Sequence, residues 1–214
     1  MSKTNHEELG TWCVADPEKA ATWLAQVTVP WWIAGGRALD LFLNEASRVH
    51  AYLDVVVLRR DIGHVLAALL DWEHFEARTG ALTRLTSGAV PRIDVHSLWS
   101  RPLGAVNWAL EFMLDESDGE FWVFRRDPWI RRPLSTLTHL SSSELRYLAP
   151  EIQLLYKAKA YRPTDQADFE RIVPRLDATA RSWLRDSLEK TLPGHSWLTV
   201  LADLERRGTP TPNR

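Results

Sequence analysis

Residues 53–58 run Leu-Asp-Val-Val-Val-Leu, an apolar, β-branched segment with a single carboxylate inside it. Such a segment fits an interior strand. A carboxylate there is costly unless it is paired or stands at a strand end facing a cleft. Asp54 therefore limits what this chain can build more than any other residue. Upstream, residues 31–34 (Trp-Trp-Ile-Ala) form a short apolar run that stops at Gly35-Gly36. That pattern suits a buried strand entering a tight turn, with a short helix over residues 37–44. Two glycines after a strand let backbone approach a phosphate, and the next helix offers unpaired N–H donors. By itself a Gly-Gly pair is more often a turn than a ligand site; the alternative for Asp54 is a structural ion pair with Arg48 or Arg92.

The surrounding pattern predicts a mixed plan. Asp16-Pro17 marks the start of a helix reaching about residue 26. Asp61 caps an amphipathic helix over residues 62–70. Strand-like pieces are expected near residues 75–78, 82–85 and 92–98, and Asp118-Gly119 between two apolar runs signals a hairpin. From residue 150 onward the pattern is helical, with segments at 150–160, 164–173, 178–192 and 196–206. The expected class is α/β (α+β): a mixed β-sheet core with helices over residues 1–145, then a C-terminal helical region over 146–208. The Thr-Pro-Thr-Pro stretch makes 209–214 a frayed tail. Ser141-Ser142-Ser143 marks the soft junction.

The whole stretch WWIAGGRALDLFLNEASRVHAYLDVVVLRRD, residues 31–61, resembles the nucleotidyltransferase-like proteins related to aminoglycoside and lincosamide adenylyltransferases and their bacterial relatives. The resemblance extends to Asp94, to the segment WVFRRDPWIRRP (122–133) and to LAPEIQLLYKAKAYRPTDQAD (148–168). It implies two Mg²⁺ ions held by three carboxylates, which align a nucleoside triphosphate such as ATP with an acceptor hydroxyl. Two of the carboxylates must stand at i and i+2 of one strand, the spacing that puts both on one face. Asp54 matches the second of that pair and Asp94 the third. The first falls on Tyr52, a neutral phenol with an ordinary pKa of about 10 and a poor ligand for Mg²⁺. Arg37 replaces a tryptophan and Thr164 a lysine of the pattern. The resemblance further assigns nucleotide contacts to Gly35, Gly36, Arg37, Arg48, His50 and Lys157. His96, two residues beyond Asp94, could assist the metal. His50 is equally well a polar loop histidine, and Asp165 and Asp168 are favourable in a first helical turn through the macrodipole alone.

Composition narrows the alternatives. With 26 basic and 28 acidic residues the formal charge is −2, so no global field draws in nucleic acid or an anionic membrane. No aromatic-basic alternation is apparent either, which makes nucleic acid the least favoured partner. One cysteine, Cys13, forbids an intrachain disulfide and suits the cytosol. The polar residues 1–10 do not form a signal peptide, and no apolar run approaches the roughly 20 residues of a membrane span. The 11 tryptophans are expected mainly as core anchors. Two functions follow: an active Mg²⁺-dependent nucleotidyltransferase acting on a small hydroxyl-bearing acceptor, or a degenerate relative that binds such ligands without the chemistry.

Overall fold

The computed structural model describes residues 9–78 and 80–208. The tail expected at 209–214 lies outside them. The chain divides into two compact units, with the break between Leu148 and Ala149.

The first unit opens with helix α1 (Pro17–Trp23), capped by Asp16, whose Oδ1 accepts the Lys19 N–H at 2.9 Å. Strand β1 (Trp31–Ile33), helix α2 (Gly35–Leu43), strand β2 (Asp54–Leu58) and helix α3 (Ile62–Ala68) follow. Asn44, at φ 54°, ends α2 in the left-handed conformation, which asparagine tolerates better than most residues. The remaining strands are β3 (Trp72–Arg78), β4 (Ala81–Arg84), β5 (Ser97–Pro102), β6 (Leu110–Asp118), β7 (Phe121–Val123), β8 (Arg131–Pro133), β9 (Thr138–Leu140) and β10 (Arg146–Leu148). They form one mixed sheet in the order β4-β3-β5-β6-β2-β1-β10-β9, with β7 paired to β6 and β8 to β7. The β2–β6 and β1–β10 pairs are parallel. The strand expected over 92–98 begins only at Ser97, because Asp94 lies in the turn before it. Three-residue strands such as β8 and β9 are too short to show a period of two.

Alternation along β2 and β6 separates two faces. Val55, Val57, Leu110, Phe112 and Leu114 face a closed core with Ile33, Leu98 and residues of α1–α3, among them Ala20, Ala38 and Val65. Burial of each large side chain there contributes roughly 1.5–3 kcal/mol. The opposite face carries Asp54, Val56 and Leu58, whose register partners on β6 are Glu111, Met113 and Asp115.

The second unit contains helices α4 (Pro150–Ala158), α5 (Pro163–Ile172), α6 (Ala178–Thr191) and α7 (Trp197–Gly208). Pro150 and Pro163 occupy first-turn positions, where the missing N–H costs no hydrogen bond. Leu154, Phe169, Leu184, Leu188, Trp197 and Leu201 form its buried interior, and the rings of Phe169 and Trp197 stack at 4.1 Å. The Lys157 ammonium is enclosed, 2.7 Å from Asp165 Oδ1 and 2.9 Å from Asp168 Oδ2. Asp165 also accepts the Arg162 backbone N–H and its Nε, both at 2.9 Å. Burial pushes the Asp165 carboxyl up, but the Arg162 and Lys157 bonds overcome this and hold it well below the usual carboxylate range.

A carboxyl depressed in the folded state adds stability above its unfolded pKa of about 3.9, and that stability is lost as pH falls. Urea unfolding of Lys157→Met should show a loss of about 3–5 kcal/mol at neutral pH, since two buried carboxylates lose their shared cation. Its stability should also decline less than that of the wild type between pH 5 and pH 2, to the order of one titrating group.

Candidate functional site at the β1–α2 turn

The turn from β1 into α2 is shaped by side chains that approach its glycines. Gly35 has φ +65°, and a Cβ there would lie 1.9 Å from Asp54 Oδ2. The Ala34 N–H donates to the Asp54 carbonyl at 2.9 Å, so the start of β2 is tied to the same turn. A Cβ on Gly36 would lie 2.2 Å from the His50 ring and 2.8 Å from Arg48 Nη2. The glycines thus make room for the chain's own Asp54, His50 and Arg48. The backbone freedom read from the sequence as an approach path for phosphate is used first by these three side chains.

His50 is 4% exposed and Asp40, on α2, 7%. His50 Nε2 lies 2.7 Å from Asp40 Oδ2, while Asp40 Oδ1 accepts the Ser47 N–H at 3.1 Å and its hydroxyl. Burial pushes the His50 imidazole below its ordinary pKa, against the pull of Asp40 and with help from the Arg48 charge. The Asp40 contact holds the ring in one orientation. Asp40 was not apparent as a site residue in the sequence, where it belongs to an amphipathic helix pattern.

The carboxylate facing Asp54 is Glu111. The two are register partners in the parallel β2–β6 ladder and project from the same sheet face. Glu111 is 7% exposed, and its Oε1 accepts the Ser97 hydroxyl at 2.6 Å. Burial raises its pKa, with the Ser97 bond acting in the opposite direction. Trp99 stands across from it on β5. The signal was available in the sequence: Glu111 interrupts the apolar run 110–114 as Asp54 interrupts 53–58.

Asp94 does not join this pair. β5 runs antiparallel to β6 with Ser97 opposite Met113, so the turn before Ser97 lies toward the C-terminal end of β2. There Arg59 Nη2 donates to the Val95 carbonyl at 2.7 Å and contacts His96 Nδ1 at 2.9 Å. Four residue steps separate Asp54 from Leu58, roughly 13 Å of strand. Asp94 is bound instead by Arg78 and, at 3.2 Å, by Arg92. His96 is engaged by Arg59 at the same distant end. The expectation that Asp54 and Asp94 share a cleft is therefore corrected: Asp94 is an arginine-paired turn residue.

Tyr52 packs its ring 5.4 Å from Trp12, which in turn meets Trp99 at 4.9 Å. Arg37 Nη2 donates to the Ala15 carbonyl at 3.1 Å. Lys157 is held within the second unit by Asp165 and Asp168. Among the described residues no group of three or more His, Cys, Asp or Glu side chains is arranged to hold a metal ion. Two carboxylates in register fall one short of the three that the resemblance implies for a pair of divalent cations. A groove of about 480 Å³ lined by Arg59, Arg60, Ile62, His64, Val90 and Pro91 lies at the far end of β2. No helix of the described residues is long and apolar enough to cross a membrane.

Gly35→Ala should unfold at distinctly lower urea than Gly119→Ala. Both glycines have positive φ, but a Cβ on Gly119 meets nothing within 4 Å. The shared left-handed cost is about 1–2 kcal/mol, and the excess at Gly35 measures the displacement of Asp54.

Neither a protein-family model nor a curated protein matches the sequence. Among solved structures, the antibiotic-resistance factor ANT(2'')-Ia in solution superposes with a TM-score of 0.51 at 14% identity, covering 89% of this chain and 93% of its own. The lincosamide antibiotic adenylyltransferase LnuA with lincomycin bound gives 0.50 at 14% identity, covering 79% of this chain and 96% of its own. By these superpositions the chain shares its fold with the two adenylyltransferases, the nucleotidyltransferase-like fold.

Proposed function

We propose that this protein binds a nucleoside triphosphate, ATP or a relative of it, together with a small hydroxyl-bearing ligand, and does not transfer a nucleotidyl group efficiently. The observation that carries this reading is Tyr52. It stands two residues before Asp54, in the bend that leads into β2, and its ring packs toward Trp12. A metal-dependent transfer needs anionic oxygen there. With Asp94 paired to arginines, Asp54 and Glu111 are the acidic side chains left at the corner.

Binding rests on different groups. Arg48 beside Gly36, Arg37 on the first turn of α2 and the backbone at Gly35-Gly36 are the candidate phosphate contacts, with His50 held by Asp40 as their support. Lys157 is not included, because its ammonium is committed to Asp165 and Asp168. The superposed LnuA structure, with lincomycin bound, supports a small organic molecule as the second ligand. The single cysteine is compatible with a cytoplasmic setting. One observation favours an active Mg²⁺-dependent enzyme instead: Asp54 and Glu111 still stand in register on one face and together could hold a single ion.

Calorimetric titration with ATP and GTP, with Mg²⁺ and with chelator, separates the two. The expected result is binding that changes by less than about tenfold, or 1.4 kcal/mol, between the two conditions, with no pyrophosphate released. Tyr52→Asp should then acquire Mg²⁺-dependent binding. Pyrophosphate release by the wild type that Asp54→Asn abolishes would establish the enzyme and overturn the binding reading.

A further inference from the structure

Within the second unit, a single imidazole ends two helices. The last carbonyls of α4 and the first N–H groups of α7 have no partner inside their own helices, as at any helix end. His195 serves both. Its Nδ1 accepts the Trp197 N–H, the first of α7, at 3.1 Å. Its Nε2 lies 3.1 Å from the carbonyl of Ala158, the last residue of α4. A backbone N–H can only donate, so Nδ1 carries the lone pair. The proton of the neutral ring is then on Nε2, where it donates to Ala158. Only the neutral ring, in this one tautomer, satisfies both ends.

The surroundings fix the ring in place. Ser196, a residue type favoured just before a helix for the N–H its oxygen accepts, meets the Tyr161 hydroxyl with its own at 3.1 Å. Trp197, almost fully buried, stacks on Phe169 of α5, and its indole N–H donates to Gln166 Oε1 at 2.7 Å. Tyr161 is the titratable side chain packed on the His195 ring, with centroids 5.0 Å apart, and the Trp197 ring meets it edge-on at 4.9 Å. Burial pushes the His195 imidazole below its ordinary pKa, against the pull of the Ala158 bond. Among the described residues no charged side chain adds to that shift.

We propose that His195 is a proton-operated latch between α4 and α7: protonation keeps the bond to Ala158 and releases the first turn of α7. The two helix ends respond differently because they are opposite in polarity. The added proton occupies Nδ1, the lone pair that the Trp197 N–H needs, and sets a cation against the positive end of the α7 dipole. At the C-terminal end of α4 the same charge is favourable. The folded-state pKa lies below the unfolded value of about 6.5. The neutral ring's contribution is therefore complete above about pH 6.5 and is lost as pH falls below it. Phe169 and Gln166 still hold the Trp197 side chain, so the release is local to the start of α7.

Amide hydrogen exchange of the full chain, followed by NMR well above and well below the ordinary histidine pKa of about 6.5, tests the latch once rates are corrected for intrinsic exchange. Protection of the Trp197 amide should fall about fivefold on acidification, the ratio that corresponds to the ~1 kcal/mol of a helix cap. Leu184 and Leu188, in the buried part of α6, should keep theirs. His195→Gln, whose amide offers a donor and an acceptor but does not titrate, should remove the pH dependence, and His195→Ala should lose the protection at both pH values. In the wild type the ring nitrogen shifts should report a proton on Nε2 alone in the neutral form. Titration of His195 at or above about 6.5, a proton on Nδ1 of the neutral ring, or an equal acid loss of protection in His195→Gln overturns the proposal. So does Trp197 protection that acid leaves unchanged in the wild type.

Discussion

At the junction of β1 and α2, a carboxylate and the backbone of Gly35 occupy space that a single methyl group would contest. Asp54 Oδ2 lies where a side chain at residue 35 would begin, and the φ of +65° there suits glycine. From this contact the neighbouring arrangement follows. The Ala34 N–H binds the Asp54 carbonyl, and β2 enters the sheet antiparallel to β1 and parallel to β6. That register places Glu111 opposite Asp54. The second glycine repeats the arrangement with His50, which Asp40 holds from within α2. The corner is a set of side chains packed onto bare backbone, and its chemistry is limited to what those side chains leave open.

A second theme is that many polar groups that look ready for a ligand are already engaged. Lys157 is enclosed by two aspartates, Asp94 by two arginines, and Asp115 accepts the Trp122 indole N–H at 2.7 Å. The pairings of Lys157 and Asp115 follow from the cost of removing a polar or charged group from water without a partner, whereas Asp94 and its arginines pair at the surface. In one dimension a lysine near two aspartates on the next helix suggests a phosphate contact as readily as an internal ion pair. The burial of all three groups separates those readings.

Much of the architecture was legible because it rests on local rules. Asp16-Pro17 starts α1, the apolar runs 31–34 and 53–58 contain β1 and β2, Asp118-Gly119 closes the β6–β7 hairpin, and the chain after residue 150 is helical. The short strands β8, β9 and β10 were not, since three residues carry almost no periodic signal and owe their state to their neighbours in the sheet. The strand expected at 92–98 was placed too early because alternation does not distinguish an extended turn from a paired strand.

Sequence alone determined the chemistry available: one acid within an apolar strand, a tyrosine two residues before it, two glycines after a strand, and a hairpin rich in arginine. These are facts of residue type and spacing, and spacing within one strand already decides which side chains share a face. Only the tertiary structure decided which distant residues meet. Strand order and register put Glu111, not Asp94, beside Asp54, and the same ladder carries Asp94 to the opposite end of β2. Register is a collective outcome of core packing on the other face, where Val55, Val57, Phe112 and Leu114 must all be buried together. No local pattern around residue 94 or 111 contains that information.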